Sequence, residues 1–225
     1  MAPLGQLTWT DLTERAAHSV LAVPIGSTEQ HGPHLPLDTD TDVARALAEA
    51  LAERRGDVIV APALPYGASG EHAGFPGTLS IGLDVLEAVL VELGRSADAF
   101  AGLVFVSGHG GNAVAVRRAV ERLGAEGRSA RAWAPGATAG HDAHAGRTET
   151  ALQLARRPHL VRRSRAAAGA TRPLAELLAD LRRGGVAAVS ANGVLGDPAG
   201  ASAAEGAAIL GQWTAALVAA LDGWP

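Results

Sequence analysis

The chain has 225 residues, 48% of them hydrophobic, which is enough apolar material for one α/β domain with a sizeable core. Against 23 Asp and Glu stand 19 Lys and Arg, so a formal charge of −4 supplies neither a long basic face for nucleic acid nor a polybasic membrane anchor. The absence of cysteine excludes disulfides, thiolate ligands and a cysteine nucleophile, and leaves any metal to oxygen and imidazole donors.

No basic start followed by a long apolar run opens the chain, and no segment approaches a membrane span free of Gly, Pro or charge, so a cytoplasmic protein acting on a small molecule or peptide is expected. Apolar runs alternate with helical patterns, as in a largely parallel sheet covered on both faces. Residues 20–25 read as a first buried strand. Residues 41–55 read as a helix, because Val43, Leu47, Ala50 and Leu51 recur at helical spacing before Gly56. A second strand is expected over 57–64, a helix over 83–100, and a third strand over 103–106. Then come a helix over 113–123, a strand over 130–134, and a helix over 148–155 that ends before Pro158. Residues 162–171, rich in Arg, Ala and Gly, read as a mobile loop, and the Ala-rich stretch 202–221 as the last helix. No boundary or repeat divides residues 1–225, so one domain is expected.

In open α/β sheets, ligands gather beyond the carboxyl ends of the strands, so the turns there carry the functional weight. Glu29 and His31 follow the first strand two residues apart, a spacing that in an extended loop points both side chains to one side. Asp40 returns after a Pro-containing excursion and has the reach to bridge two ions. His109 sits between glycines after the third strand, where Gly110 and Gly111 let backbone or substrate approach closely. His144 precedes a helix whose first turn carries Glu149, a further ligand and acid/base candidate. Taken singly, His109 also reads as a tight-turn residue and Glu149 as a complement to its helix dipole. Together, Glu29, His31, Asp40, His109 and Glu149 are five potential metal ligands, and a metal-dependent hydrolase is the reading they support. Glu71 and His72 follow a Gly-rich loop and either back the ligands or line the substrate pocket, or simply turn the chain. Asp38 and Asp42 read as helix-start charges, and His18, His34 and His159 as surface residues. The run Gly108-His109-Gly110-Gly111 lacks both the Lys-Ser/Thr of a phosphate loop and the glycine spacing of a dinucleotide turn.

Three ordered blocks, Ser27-Thr28-Glu29-Gln30-His31-Gly32-Pro33-His34-Leu35-Pro36, Ser107-Gly108-His109-Gly110-Gly111-Asn112 and His144-Ala145-Gly146-Arg147-Thr148-Glu149-Thr150, resemble the signature blocks of the creatininase (creatinine amidohydrolase) family. The similarity runs from about Val20 to Glu205. It implies a three-layer α/β/α fold around a mostly parallel central sheet, two divalent metal ions (zinc, iron or manganese), amide hydrolysis, and a homo-oligomer such as a hexamer or octamer. By position it makes Glu29, His31, Asp40 and His109 metal ligands with Asp40 as the bridge, gives His144 the leaving group, and places Glu149 on the metals. The chain has Gly111 where creatinine-hydrolysing members carry a glutamate, and Gly140 near the place of their aromatic clamp, which points away from creatinine. The blocks at 66–72, 75–78 and 183–198 resemble instead the mycofactocin-system branch of the family. That likeness implies a peptidase that removes the C-terminal Val-Tyr dipeptide from a modified precursor peptide by a metal-activated water attacking the amide. The alternatives are a small-molecule amidohydrolase acting on a cyclic amide or formamide, and a non-catalytic binding protein on the same fold. Because Gly110 and Gly111 are expected to leave room for peptide, Gly111→Leu is expected to impair substrate binding more than metal loading.

Overall fold

The computed structural model describes residues 2–136 and 142–225, so Gly140 lies outside the described residues. Strand β1 (Val20–Ile25) is buried along its whole length, as a central parallel strand covered on both faces must be. It pairs in parallel with β2 (Val58–Val60) on one side and β3 (Gly102–Ser107) on the other, and β3 pairs in parallel with β4 (Ala130–Trp133). The sheet order is β2-β1-β3-β4. A four-residue helix α1 (Trp9–Leu12) precedes the sheet, and α2 (Thr39–Arg54), α3 (Leu83–Ser96) and α4 (Ala113–Ala125) make its crossovers. After β4 come α5 (Arg147–Arg156), α6 (Leu174–Gly184) and α7 (Ala203–Ala220).

Strand alternation divides the apolar side chains between two cores. Val20, Ala22, Val104 and Val106 face Val43, Leu47 and Leu51 of α2, Leu152 of α5 and Leu217 of α7. Leu21, Val23, Ile25 and Phe105 face Leu86 and Leu90 of α3 and Val116 and Leu123 of α4. Each fully buried Leu or Ile here contributes about 1.5–3 kcal/mol of transfer free energy. The result is the expected α/β/α layering.

The strand order decides where a ligand can sit. From β1 the chain steps to β2 on one side and then returns to β3 on the other, so a crevice opens between the carboxyl ends of β1 and β3. Ile25 opposite Ser107 is the last paired register there, and Gly26 and Gly108 follow. A Cβ on Gly26 would overlap the backbone of Thr41, and one on Gly108 would overlap the carbonyl of Asp40. Both glycines let the first turn of α2 rest directly on the two strand ends, and this seats Asp40 in the crevice.

Several boundaries differ from the sequence expectation. β2 ends at Val60, short of 64, because the chain leaves the ladder before Pro62, which has no N–H to give. It rejoins only at Leu64, whose N–H donates to the Pro24 carbonyl at 2.9 Å and whose carbonyl accepts from Gly26. α3 stops at Ser96 rather than 100. α2 begins two residues early, at Thr39. The stretch 162–171, expected to be a mobile loop, holds a 3-10 turn at Arg163–Arg165 and is tied by backbone bonds from Gly169 N–H to Gly196 O and from Ala170 N–H to Val194 O. Helix α6 has no counterpart in the sequence reading.

Candidate metal centre

Asp40 stands at the middle of the crevice with both oxygens engaged. Oδ1 lies 2.9 Å from His31 Nε2; Oδ2 lies 3.1 Å from His109 Nδ1 and accepts from the Ser27 hydroxyl at 2.9 Å. Glu29 lies on the His109 side, with Oε2 3.3 Å from His109 Nε2. Glu149 lies on the His31 side, with Oε2 3.8 Å from His31 Nε2. Ala145 holds Glu149 in place: its φ of 52° is left-handed, a strained conformation for a residue with a Cβ, and turns its N–H to donate to Glu149 Oε2 at 2.6 Å.

Gln30 organises the remaining rings. Its Oε1 accepts from Gly32 N–H at 2.8 Å and its Nε2 donates to Gly193 O at 3.0 Å, which fixes which end of the amide is which. The other Nε2 hydrogen therefore goes to His72 Nδ1 at 2.8 Å. His72 then carries its proton on Nε2, facing Glu29 Oε1 at 3.2 Å. His144 donates from Nε2 to the Gln30 carbonyl at 2.8 Å, so its Nδ1 lone pair looks toward Glu29 Oε1, 3.7 Å away. The ring of His144 lies 4.4 Å from the His31 ring and 4.4 Å from the His72 ring, centroid to centroid.

Burial and crowding set the charges. Burial, reinforced by Asp40, raises the Glu29 carboxyl to about 7, and the same two causes act on Glu149, also raised to about 7. Burial alone would keep His31 neutral, but Asp40, Glu149 and Glu29 outweigh it and raise the ring to about 10. His109 is likewise raised, against its burial, by Glu29 and Asp40. Asp40 stays ionised well below the usual carboxylate range because His31 and His109 overcome its desolvation. Burial and the neighbouring rings push His144 well below its usual value, and burial takes His72 down to about 4.

Whether this set suits divalent cations is tested by Glu29 itself. Both its carboxylate oxygens are buried and lack a hydrogen-bond partner, an arrangement that is costly unless a cation or proton meets them. Donor atoms of Glu29, His31 and Asp40, of His31, His144 and Glu149, and of Glu29, His72 and His144 close to within 4.8 Å of one another. All are carboxylate or imidazole, a mixture that zinc, iron and manganese each accept. The residues fit.

A family model described as creatininase, creatinine amidohydrolase, matches residues 5–221. The chain belongs to the creatininase family. A mycofactocin precursor peptide peptidase of Mycolicibacterium smegmatis is 53% identical over 209 residues, covering 89% of this chain and 84% of that protein. Among solved structures, a manganese form of creatininase superposes with a TM-score of 0.83 at 27% identity over 97% of this chain and 96% of the other. A zinc–zinc form of a creatininase variant gives 0.80 at 27% identity over 97% and 96%.

Within this creatininase-family crevice the five ligand candidates come together, and two of the histidines are placed differently from the sequence expectation. Among the described residues His109 belongs to none of the close donor groups, its two ring nitrogens facing different carboxylates. His144, read as a proton carrier, belongs to two of them. Gly110 and Gly111 also differ from each other: a Cβ on Gly110 meets open space, whereas one on Gly111 would overlap His109 Nε2 and lie 2.5 Å from Ala68 O and 2.6 Å from Glu71 Oε1. Of the two glycines, Gly110 alone faces open space among the described residues. Glu71 reaches His109 Nε2 at 3.5 Å and keeps 37% of its side chain exposed, while its neighbour His72 is buried in the cluster. His34, read as a surface residue, is fully buried and bonded to the Thr150 hydroxyl at 2.9 Å, with which the Pro33–Leu35 turn meets α5. Asp42, read as a helix-start charge, is buried in an ion pair with Arg156 at 2.8 Å. Gln30 was visible in the first block, but nothing in its sequence position separates a network-organising amide from a loop residue.

Proposed function

We propose that this protein is a metal-dependent peptidase that removes the C-terminal Val-Tyr dipeptide from the modified mycofactocin precursor peptide. The observation that carries the reading is the buried Glu29 carboxylate without a partner, set among imidazoles and carboxylates at the switch point of the sheet. Glu29, His31, Asp40, His109 and Glu149 would hold two cations of zinc, iron or manganese, with Asp40 between them. Bound there, the cations lower the pKa of water and polarise the scissile carbonyl. His72, held by Gln30 through Nδ1, stands with Nε2 3.2 Å from Glu29 Oε1 without forming a hydrogen bond to it. His144 stays neutral in its buried setting and offers Nδ1 to take up a proton and return it to the departing amine. The half-exposed Glu71 and the open space beside Gly110 line the approach of the substrate. A cytoplasmic location and a homo-oligomer, hexameric or octameric, belong to the same reading. No helix among the described residues is long and apolar enough to cross a membrane, and the exposed Trp9, Leu79 and Val85 offer apolar surface for assembly.

The test is mass spectrometry of the precursor peptide, processed by the radical enzyme of its pathway, after incubation with the protein with and without chelator. Release of Val-Tyr that chelator abolishes and added zinc, iron or manganese restores is the expected result. Full metal occupancy without release would move the activity to a small-molecule amide. A protein that takes up no metal would leave a binding role on the same fold.

A further inference from the structure

Beside the cluster lies a cavity of about 570 Å³, within the roughly 300–1,000 Å³ of small-ligand sites. His109, Gly110 and Glu149 stand on its wall, so it opens on the candidate metal centre. Much of the rest is apolar, with Val43, Leu152, Leu174 and Leu195 among its lining. Arg172 is the single Arg or Lys on that wall among the described residues. Its side chain is exposed and enters no ion pair among them. It stands directly before α6, whose N-terminus has no side-chain cap and whose Pro173 and Leu174 line the same cavity. Glu176, the acid of that first turn, is exposed and off the wall. The wall's other carboxylate, Asp142, is already taken by the N–H groups of Arg147 and Thr148. The proposed metal ligands leave Arg172 and the start of α6 unused.

We propose that Arg172, assisted by the start of α6, is the subsite for the free C-terminal carboxylate of a peptide, and that this contact limits cleavage to a short C-terminal fragment. The inference rests on the peptidase reading for its substrate class. If the scissile carbonyl sits against the cluster, the leaving fragment occupies the cavity, and two extended residues span about 7 Å. Apolar walls accept its side chains. Its far end is a carboxylate, costly to bury unless paired, and a guanidinium fork offers two parallel hydrogen bonds to it. A cyclic amide has no such end and would leave Arg172 unused.

The experiment measures binding of Val-Tyr and of its C-terminal amide to the metal-loaded protein by calorimetry, in the parent, Arg172→Gln and Arg172→Lys. The parent should prefer the acid by about tenfold or more. Arg172→Gln should lose the preference, and Arg172→Lys should recover part of it. Equal affinity of the parent for acid and amide overturns the proposal, and so does an acid preference that survives in Arg172→Gln, since the metals would then be its source. Peptide cleavage is scored separately: failure to cleave alongside an Arg172-dependent acid preference would sink the peptidase reading and keep the carboxylate subsite.

Discussion

At the scale of single residues, the centre separates groups that would hold cations from a group that would move a proton, and His144 is where the two roles meet. Its Nε2 is committed to the Gln30 carbonyl and its Nδ1 lies 3.7 Å from Glu29, outside direct contact. His144→Ala is expected to keep its metals while kcat falls about 10²–10⁴-fold, checked by elemental analysis beside turnover. Loss of metal in that variant would make His144 a ligand. The two adjacent glycines give a second contrast. Gly110→Ala adds a methyl to open space and should load metal like the parent, whereas Gly111→Ala drives a methyl into His109 Nε2 and the Ala68 carbonyl and should lower metal occupancy. This reverses the expectation from sequence that position 111 acts on substrate binding, and equal occupancy of the two variants would restore it. Glu29, His31, Asp40, His109 and Glu149 were legible because each sits in a short polar block at a strand end or helix start. His34 was not, because burial of a loop histidine depends on a segment 116 residues away that supplies its partner, Thr150.

At the scale of elements, α2 is the part that joins core to chemistry. Its apolar face, Val43, Leu47 and Leu51, packs on the sheet, while its first turn carries Asp40 into the crevice. Asp42, one step further on, fixes the angle of that turn by pairing with Arg156 at 2.8 Å and Arg157 at 3.4 Å, both near the end of α5. Desolvation works against this carboxylate, and the arginines outweigh it, so its pKa falls. Asp42→Ala leaves the Arg156 guanidinium, 22% exposed, without its carboxylate, while Arg157 keeps Asp38, and should cost about 2 kcal/mol in urea unfolding, a result under about 1 kcal/mol being what an exposed pair would give. Strands β1 and β3 were readable as apolar runs, β4 as a short strand, and α2, α4, α5 and α7 to within about two residues. The second strand was read too long because its apolar run continues past Pro62, where pairing cannot. Helix α6 was missed although Leu174, Leu177, Leu178 and Leu181 follow helical spacing; only Leu177 is fully buried, and the stretch lies next to a segment read as loop.

At the scale of the whole molecule, the parallel sheet brings four segments distant in sequence to one buried volume, and the charges gathered there make metal binding a proton exchange. Metal ligands must be ionised carboxylates and neutral imidazoles. Without cations, Glu29 and Glu149 titrate at about 7, His31 at about 10, and His109 above its usual range, so near neutral pH each still holds a proton for some or all of the time. Asp40 is already ionised. Protons therefore compete with cations, and the sign is fixed: affinity rises as pH rises from about 6 to 8, and falls as the carboxylates take up protons below about 7. Calorimetric titration with zinc or manganese in two buffers of different ionisation enthalpy should show more than one proton released per chain at neutral pH. Affinity that does not change with pH, with no buffer dependence of the heat, would mean that the cations bind outside this cluster. Acid inactivation should then follow metal release, with far-UV circular dichroism unchanged while activity and bound metal fall together, because the apolar cores on the two faces of the sheet contain none of these titrating groups.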